Sequence, residues 1–373
     1  MNISGVICAD NLFTYLRSSM ADETLVPMPH SDDPTAVDRK HDHIALTFKS
    51  RVDSNALDGR FFYEPMLAAH PAPGSLLPFS FLGKTMHTPI WVSSMTGGTA
   101  TAGAINQRLA RACAEFGMGM GLGSCRQLLH SNDHLKDFDV RDTLGNSVPL
   151  FANVGPAQLE QLLERKEGER IPALLHTLRA DGLIVHINPL QEAMQPEGDV
   201  FKRPPLEVVE ELLQLFDCKI IVKEVGQGFG PESLKALLQL PLAAIEFAAA
   251  GGTNFAKLEL LRSSAAKQIS FEKISAVGHA ATEMLGWTNR LKTILGDTCR
   301  TNHLIISGGI TDFLDGYYLI KQSKIPAVYG QASGMLRHAQ GDYAELRDYV
   351  LSQIRGLELA NAFLRIRSDD WDQ

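Results

Sequence analysis

The chain has 373 residues, of which 45% are apolar and 21% charged, and its formal net charge is -8. This composition is that of an ordinary globular protein, which excludes disorder, collagen and coiled coil as the main architecture. The acidic excess gives no general attraction to nucleic acid or an anionic membrane, and no apolar run approaches the roughly 20 residues of a bilayer span. An anionic ligand would therefore need a local cluster of cations.

The cysteines and the first residues bear on the compartment. The five cysteines are odd in number and contain no CxxC pair, which favours reduced thiols over disulfides or a structural zinc site. Residues 1–11 lack the basic region of a secretory signal. The sequence therefore predicts a cytoplasmic protein.

The N-terminal part of the chain shows no sustained period. Residues 1–37 are expected to form a partly irregular extension, and residues 38–89 a segment that covers the main domain. In this segment three prolines between His70 and Pro78 rule out a central strand or a helix interior.

From residue 90 onwards short apolar runs alternate with longer segments of helical period, the signature of βα units around a parallel sheet. The predicted strands are Ile90–Met95, Met118–Leu122, Leu150–Val154, Leu183–Asn188, Ile220–Val225, Ala244–Ala249, His303–Ser307 and Ala327–Gly330. The predicted helices, several with an initial proline, are Ile105–Phe116, Pro156–Arg165, Pro172–Arg179, Pro205–Phe216, Pro231–Leu240, Asn254–Ala265, Ala280–Leu295, Thr311–Ser323 and Ala344–Arg367. Only the helix after the second strand is indistinct. Eight strands in this alternation predict an α/β protein with a (β/α)8 barrel, spanning 90–373, rather than an open sheet.

A barrel of this type builds its active site from the loops that follow the strands. Each of these loops carries a glycine-rich turn or polar side chains. They are 95–98 (MTGG), 123–126 (GSCR), 153–156 (NVGP), 186–192 (HINPLQE), 223–226 (KEVG), 250–253 (AGGT), 307–310 (SGGI) and 330–333 (GQAS).

The loops 307–310 and 330–333 predict an anion site. Main-chain N–H groups at a helix start can bind a phosphate where glycine permits close approach, and many barrels hold a phosphate at this place. The alternative is that the glycines only permit tight turns. Lys223 interrupts an apolar strand, and a cation at the mouth of a barrel needs a phosphate, a carboxylate or a negatively charged ring nitrogen. A salt bridge to Glu224 or Glu246 is its alternative.

The segment 186–192 is the richest in polar groups. Alternation places His186 and Asn188 on one face of the strand, and Glu192 offers the hard oxygen that Mg²⁺ prefers beside phosphates and water. A structural buried histidine is the alternative for His186. Earlier in the chain, Arg39 and Lys40 supply two adjacent cations, which on their own would be a solvated charge run. No phosphate loop, HExxH or GxSxG motif occurs.

Together these segments resemble the type II isopentenyl diphosphate isomerases. The resemblance rests on 39–44 (RKHDHI), 93–98 (SSMTGG), 123–126, 153–155, 186–192, 222–226 (VKEVG), 251–253 and 307–310, and runs from about Arg39 to Ile366. HINPLQE is its most specific motif. In that family an FMN-bearing barrel interconverts isopentenyl and dimethylallyl diphosphate with reduced flavin and Mg²⁺.

The resemblance implies a set of site residues. FMN would contact Met95, Thr96, Gly97, Ser124, Asn153, Lys223, Thr253, Gly308, Gly309, Ala332 and Ser333. The diphosphate would be bound by Arg39, Lys40, Ser124, Arg126, His186, Asn188 and Gln191. Glu192 would hold Mg²⁺, and Gln191 and Glu192 would lie at the reacting carbons.

The resemblance also implies the partners. NAD(P)H would be needed only to reduce the flavin, because the isomerisation has no net redox change, and the protein would be a homo-oligomer, a tetramer or an octamer. Two other hypotheses stay open. One is another FMN barrel such as a 2-hydroxy-acid oxidase, which needs a histidine base and an arginine that the late loops lack. The other is a non-catalytic flavin or prenyl diphosphate binding protein.

Overall fold

A computed structural model describes residues 35–367, which form two compact units divided between Gly59 and Arg60. Residues 35–59 hold one helix, α1 (Ala36–Leu46), and a 3₁₀ turn at Ser54–Ala56. Within this unit α1 buries none of its side chains. The predicted extension, residues 1–37, lies outside the described residues except for its last three positions.

The second unit contains the strands and all further helices of the described chain. The strands are β1 (Phe61–Tyr63), β2 (Phe79–Phe81), β3 (Lys84–Met86), β4 (Ile90–Val92), β5 (Gly119–Gly121), β6 (Leu150–Val154), β7 (Gly182–Ile187), β8 (Lys219–Glu224), β9 (Ala244–Glu246), β10 (Leu304–Ser307), β11 (Ala327–Gln331) and β12 (Leu364–Ile366). The helices are α2 (Ala100–Phe116), α3 (Arg141–Leu144), α4 (Pro156–Glu164), α5 (Arg170–Leu178), α6 (Pro189–Met194), α7 (Pro205–Leu215), α8 (Pro231–Gln239), α9 (Phe255–Arg262), α10 (Ala265–Ser275), α11 (Ala281–Leu295), α12 (Phe313–Gln322), α13 (Ser333–Ala339) and α14 (Tyr343–Phe363).

Strands β4 to β11 form a closed parallel barrel in chain order, and β11 pairs back with β4. The eight predicted strands and the (β/α)8 fold are thereby confirmed. The parallel pairing follows from the helices between the strands, which carry the chain back across the barrel each time. The indistinct region after the second strand contains two 3₁₀ turns and the four-residue helix α3.

The interior of the barrel has two layers, because side chains alternate along each strand. Phe151, Ile184, Ile221 and Ile305 point inward and are fully buried in one apolar cluster. The hairpin β2–β3 adds Phe81 to the same cluster. This hairpin closes the amino end of the barrel, so the polar residues that follow along each strand lie toward the opposite, carboxyl end.

Two helix predictions need correction. The C-terminal helix ends at Phe363 rather than at Arg367, because residues 364–366 form β12 and pair antiparallel with β1. The prediction for 254–265 also missed a second helix, α10, after α9. Ser275 is the only residue that α10 buries, so the segment has no apolar stripe from which a helix could be recognised.

Candidate active site

The polar layer of the barrel lies two positions beyond the apolar one. The inward positions after the apolar residues are occupied by Asn153, His186, Lys223, Glu246 and Ser307. His186 is paired with Lys223 across β7 and β8, and Lys223 with Glu246 across β8 and β9. The strands therefore bring two ionisable groups and a histidine to one level near the carboxyl end.

Lys223 and Glu246 are both buried, at 5% and 0% exposure. The Lys223 ammonium donates to the main-chain oxygen of Glu224 at 2.7 Å. It forms no ion pair in the described chain, so the salt bridge considered from the sequence is not observed. Burial raises the pKa of the Glu246 carboxyl, and the charge of Lys223 opposes this shift. Glu246 accepts from the Ser307 hydroxyl at 3.3 Å through Oε1, while its Oε2 has no partner among the described residues.

Glu224 has a structural role in the loop after β8. One oxygen of its carboxylate accepts from the N–H groups of Gly226, Gln227 and Gly228 at 2.6–2.8 Å. Burial still raises the pKa of this carboxyl. Glu224 therefore fixes the loop after β8, and Lys223 remains as the cation that faces the barrel mouth.

A cavity of about 340 Å³ opens above this polar layer, at the ends of β8 to β11 and β4. Its walls include seven of the residues predicted to contact FMN. These are Met95, Lys223, Thr253, Gly308, Gly309, Ala332 and Ser333. Gly308 has a φ of 91°, and a Cβ there would lie 2.1 Å from the main-chain oxygen of Ala249, so only glycine fits.

Sequence reasoning missed two cationic or titratable residues on the cavity wall. Arg337 and His338 lie in α13 and line the cavity together with Tyr349. His338 stacks on the Tyr349 ring at 4.3 Å and its Nδ1 lies 3.0 Å from Glu345. Arg337 makes no hydrogen bond or ion pair within 35–367. Both follow the strand-end loop by a full helical turn, so a search of the loops alone could not find them.

His186 is a neutral imidazole at neutral pH. Burial, and to a lesser degree the charge of Lys223, lower its pKa to about 3. Its Nδ1 lies 2.8 Å from Oδ1 of Asn153, and Nδ2 of Asn153 donates to the main-chain oxygen of Leu122. Because the Asn153 amide nitrogen faces Leu122, its Oδ1 faces His186 and must accept a hydrogen bond. Nδ1 of His186 is therefore the protonated nitrogen, and Nε2 is left as an acceptor.

Asn188, Gln191 and Glu192 form a connected group at the start of α6. The Asn188 amide is 2% exposed and donates to Glu192 Oε1 at 2.8 Å and to Gln191 Oε1 at 3.3 Å. Its own Oδ1 has no partner in the described chain. These bonds turn the Gln191 carbonyl inward and leave its amide N–H groups free to donate to a ligand.

Arg126 reaches the same group through a residue that sequence reasoning missed. Nη1 of Arg126 lies 3.2 Å from a carboxylate oxygen of Asp199, and the Asp199 main-chain N–H donates to Glu192 Oε2 at 2.8 Å. Asp199 follows α6 in a stretch without regular secondary structure. The structure thus joins Arg126, Asn188, Gln191 and Glu192 in one network through Asp199. Their predicted roles at a diphosphate and a metal ion stay predictions.

The other predicted residues occupy the same end of the barrel or the separate unit. Thr96 and Gly97 lie between β4 and α2, and Ser124 lies after β5 with its side chain exposed. None of these three residues lines the cavity. Arg39 and Lys40 lie in α1 within residues 35–59 and are exposed. Their predicted contact with a diphosphate stays a prediction.

Within residues 35–367, no group of three or more His, Cys, Asp or Glu side chains is placed to hold a metal ion on its own. No helix in this range has the length and apolar character needed to span a bilayer.

Curated proteins of one kind resemble this chain over most of its length. The isopentenyl-diphosphate delta-isomerase of Rickettsia felis is 32% identical over 336 residues, which cover 87% of this chain and 91% of that protein. The protein of the same name from Rickettsia prowazekii is 34% identical over 329 residues, covering 86% and 90%. No protein-family model matches the chain.

Solved structures share the barrel. A double variant of flavocytochrome b2 with sulfite bound aligns with a TM-score of 0.55 at 12% identity, covering 81% of this chain and 72% of that chain. A mandelate oxidase variant with a C4a-OH-FMN adduct aligns with a TM-score of 0.51 at 13% identity, covering 83% and 88%. At these identities the likeness establishes the fold alone.

Proposed function

The chain belongs to the isopentenyl-diphosphate delta-isomerase family, and from this premise we propose that it interconverts isopentenyl and dimethylallyl diphosphate with FMN and Mg²⁺. One observation carries the proposal. A glycine-walled cavity that contains Lys223 lies beside the network of Arg126, Asn188, Gln191 and Glu192 at one end of the barrel. The two parts meet where β7 and β8 pair His186 with Lys223.

The cavity fits a flavin. It combines main-chain walls, where a Cβ at Gly308 would collide with Ala249, with a buried cation, Lys223, and an unpartnered carboxyl oxygen of Glu246. A flat heterocycle that offers both hydrogen-bond donors and acceptors along one edge would satisfy Lys223 and Glu246 together. Reduced FMN, when bound, supplies an electron-rich ring that stabilises positive charge and a nitrogen that can exchange a proton.

The other end of the cavity suits the phosphate of FMN. Gly308 and Gly309 line this end of the cavity, and glycine permits an anion to approach main-chain N–H groups closely. The start of α12 itself is already capped by the Asp312 side chain. Arg337 adds a positive charge on the same wall and makes no other ion pair in the described chain. We assign Lys223 to the ring and Arg337 to the phosphate.

Glu192 fits a magnesium site that is completed by the substrate. Each of its carboxylate oxygens accepts one hydrogen bond, from Asn188 or from the Asp199 main chain, and each retains a lone pair for a cation. Mg²⁺ commonly uses one or two carboxylates together with phosphate oxygens and water. A single protein carboxylate is therefore sufficient. This agrees with the finding that, within 35–367, no group of three or more His, Cys, Asp or Glu side chains could hold a metal ion on its own.

The reaction moves a double bond by adding a proton at the terminal carbon of the alkene and removing one from the carbon next to the diphosphate-bearing one. Positive charge develops between these carbons. Arg126 and the Gln191 amide would bind and orient the diphosphate, because both present N–H groups that are not used elsewhere. Gln191 and Glu192 would flank the reacting carbons, as the resemblance implies.

His186 would bind the diphosphate by donating from Nε2 after taking up a proton. Its pKa of about 3 leaves Nε2 without a proton at neutral pH. An anionic phosphate beside it would favour the protonated imidazole. Proton uptake on substrate binding therefore accompanies the role proposed for His186.

Several finer points are part of the same proposal. NAD(P)H would serve as the reductant of the flavin, and the protein would act in the cytoplasm as a homo-oligomer. Ser124, Arg39 and Lys40 would contribute to diphosphate binding. All of these rest on the resemblance and on the local charges of the segments named.

The proposal is tested by reconstituting the purified protein with excess FMN and recording the absorption spectrum after gel filtration. The flavoprotein is then reduced without oxygen, and isopentenyl diphosphate is followed by proton NMR with and without Mg²⁺. We expect bound flavin and the two methyl signals of dimethylallyl diphosphate, lost when Mg²⁺ is chelated. Flavin binding without isomerisation would contradict the proposed isomerase activity. If no flavin binds, the proposal of FMN as the cofactor is wrong as well.

A further inference from the structure

Asp199 stands at the centre of the diphosphate side of the site, although no sequence pattern singles it out. It follows a tight turn after α6, in which the Gly198 N–H donates to the Gln195 main-chain oxygen at 3.2 Å. A Cβ at Gly198 would lie 1.9 Å from the main-chain oxygen of Glu192. The glycine thus lets the turn fold back onto α6 and brings Asp199 beside Glu192.

The Asp199 carboxylate collects donors from two other strand-end segments. Gln158 and Gln161 of α4 donate to it at 2.7 and 3.3 Å, and Arg126 pairs with it at 3.2 Å. The side chain of Asp199 is 19% exposed and that of Arg126 is 50% exposed. Since an ion pair this exposed contributes little stability, its effect lies in where it holds the guanidinium.

The ion pair with Asp199 restricts the conformation of the Arg126 side chain. Arg126 begins a 3₁₀ turn on the loop after β5, with no cap from a side chain, and its long side chain would otherwise sample many rotamers. The contact with Asp199 uses part of the guanidinium and leaves its other N–H groups to an anion. At the same time the Asp199 main-chain N–H fixes Glu192 Oε2.

We propose that Asp199 is a positioning residue, which sets the anion-binding Arg126 and the cation-binding Glu192 at a fixed separation matched to a magnesium diphosphate. This inference rests on the proposed function. Asp199 does not touch the reacting atoms. It acts by ordering Arg126 before the ligand arrives, which lowers the entropy lost on binding.

The test uses Asp199→Asn in the FMN-loaded full-length protein. Asparagine keeps the shape and the main-chain N–H bonded to Glu192, but it removes the charge that holds Arg126. We expect the dissociation constant of inorganic pyrophosphate with Mg²⁺, measured by calorimetry, to rise roughly threefold to tenfold. KM for isopentenyl diphosphate should rise by a similar factor, with kcat and flavin content unchanged.

Two comparisons isolate the role of Arg126. Asp139→Asn is a matched control, because Asp139 also forms an ion pair with an arginine, Arg179, at 2.8 Å, outside the site; it should change neither constant. In an Arg126→Gln background Asp199→Asn should have little further effect, because the group that it positions is gone. Equal effects of Asp199→Asn in both backgrounds would contradict the inference.

The outcomes separate the inference from the proposed function. Tighter pyrophosphate binding by Asp199→Asn would mean that Asp199 competes with the ligand for Arg126, and unchanged binding would mean that Arg126 needs no partner; either overturns the inference. If the wild type binds pyrophosphate but does not isomerise, the proposed function fails, and the same binding series still decides on Asp199. If the wild type binds no pyrophosphate, both fail.

Discussion

The two halves of the candidate site differ in composition: one is formed mainly by the main chain and the other mainly by side chains. The half proposed to bind the flavin, at the ends of β8 to β11 and β4, consists of main-chain walls around a cavity, with Lys223 and Glu246 fixed inside strands. The half proposed to bind the diphosphate, at the ends of β5 to β7, consists of partly exposed side chains such as Arg126, which hold one another by hydrogen bonds and ion pairs.

The difference indicates what each half can recognise. Main-chain walls cannot adjust, so they select a ligand by shape and suit a cofactor that stays in place. Long side chains in a shared network can adapt, so they suit a charged group that enters and leaves in every turnover. Substitutions should therefore affect flavin retention in the first half, and KM, kcat or the Mg²⁺ requirement in the second.

The largest effect is expected for Lys223→Ala. It removes the cation assigned to the flavin ring and leaves Glu246 buried without a positive charge beside it. We expect FMN affinity, measured by fluorescence quenching, to fall roughly ten- to a hundredfold, together with a lower melting temperature.

Lys219→Ala is the matched control for Lys223→Ala. Lys219 starts the same strand and donates to the main-chain oxygen of Leu82 at the opposite end of the barrel. Its removal should leave flavin affinity unaltered. Equal losses of flavin in both variants would show that Lys223 acts through the stability of β8 alone.

The next effect distinguishes the metal from the reacting carbons. In Glu192→Gln the charge is lost, and the new amide would oppose a donor from Asn188 or Asp199. We expect the Mg²⁺ concentration for half-maximal rate to rise about tenfold, equivalent to about 1.4 kcal/mol, with much of kcat recovered at high Mg²⁺.

Gln191→Ala sharpens this result, because Gln191 lies next to Glu192 without a predicted role at the metal. It should lower kcat at every Mg²⁺ concentration while the Mg²⁺ requirement stays the same. If Glu192→Gln stays inactive at saturating Mg²⁺ with substrate bound, Glu192 also transfers a proton. Full activity in both variants would place the active site elsewhere.

A smaller effect tests the phosphate end of the cavity. Arg337→Gln should weaken FMN roughly tenfold and leave riboflavin, which has no phosphate, unaffected. Both affinities can be measured by fluorescence titration. Equal weakening of the two flavins would mean that Arg337 supports the fold of α13 rather than the phosphate.

The smallest effect concerns His186 and pH. Its pKa in the folded protein, about 3, lies below that of an unfolded histidine, so the unfolded chain binds the extra proton as pH falls from about 6.5. His186 therefore contributes stability at neutral pH that is lost on acidification. In urea titrations at pH 7.5 and 5.5, His186→Gln should lose less stability between the two values than the wild type. An equal loss would mean that folding leaves the pKa of His186 unchanged.

The barrel could be predicted because its information is local. Short apolar runs such as Ile220–Val225 alternate with helices that begin at proline, and both signals lie within a few residues. The polar layer followed from the same alternation, which is why Lys223 and His186 could be named from the sequence.

The missed features depend on distant residues. Asp199 is recognisable only through Arg126 and Gln158, some way back along the chain, and it lies in an irregular segment. Residues Leu364–Ile366 leave the helical pattern because they pair with β1 at the other end of the described chain. Neither the contacts of Asp199 nor the pairing of Leu364–Ile366 can be recognised from a local periodicity of the sequence.

The pairing of β1 with β12 has a consequence for the order in which the chain folds. Strands β4 to β11 can pair with their neighbours as they leave the ribosome, whereas Phe61 must wait for Ile366. Until then β1 is an unpaired edge, open to pairing with another chain. Glu358, which accepts from the main-chain N–H groups of Gly74 and Ser75, arrives equally late. A chain cut short before residue 364 would keep its barrel strands but expose this edge permanently. We expect such a chain to be lost by aggregation rather than by a failure of the barrel itself.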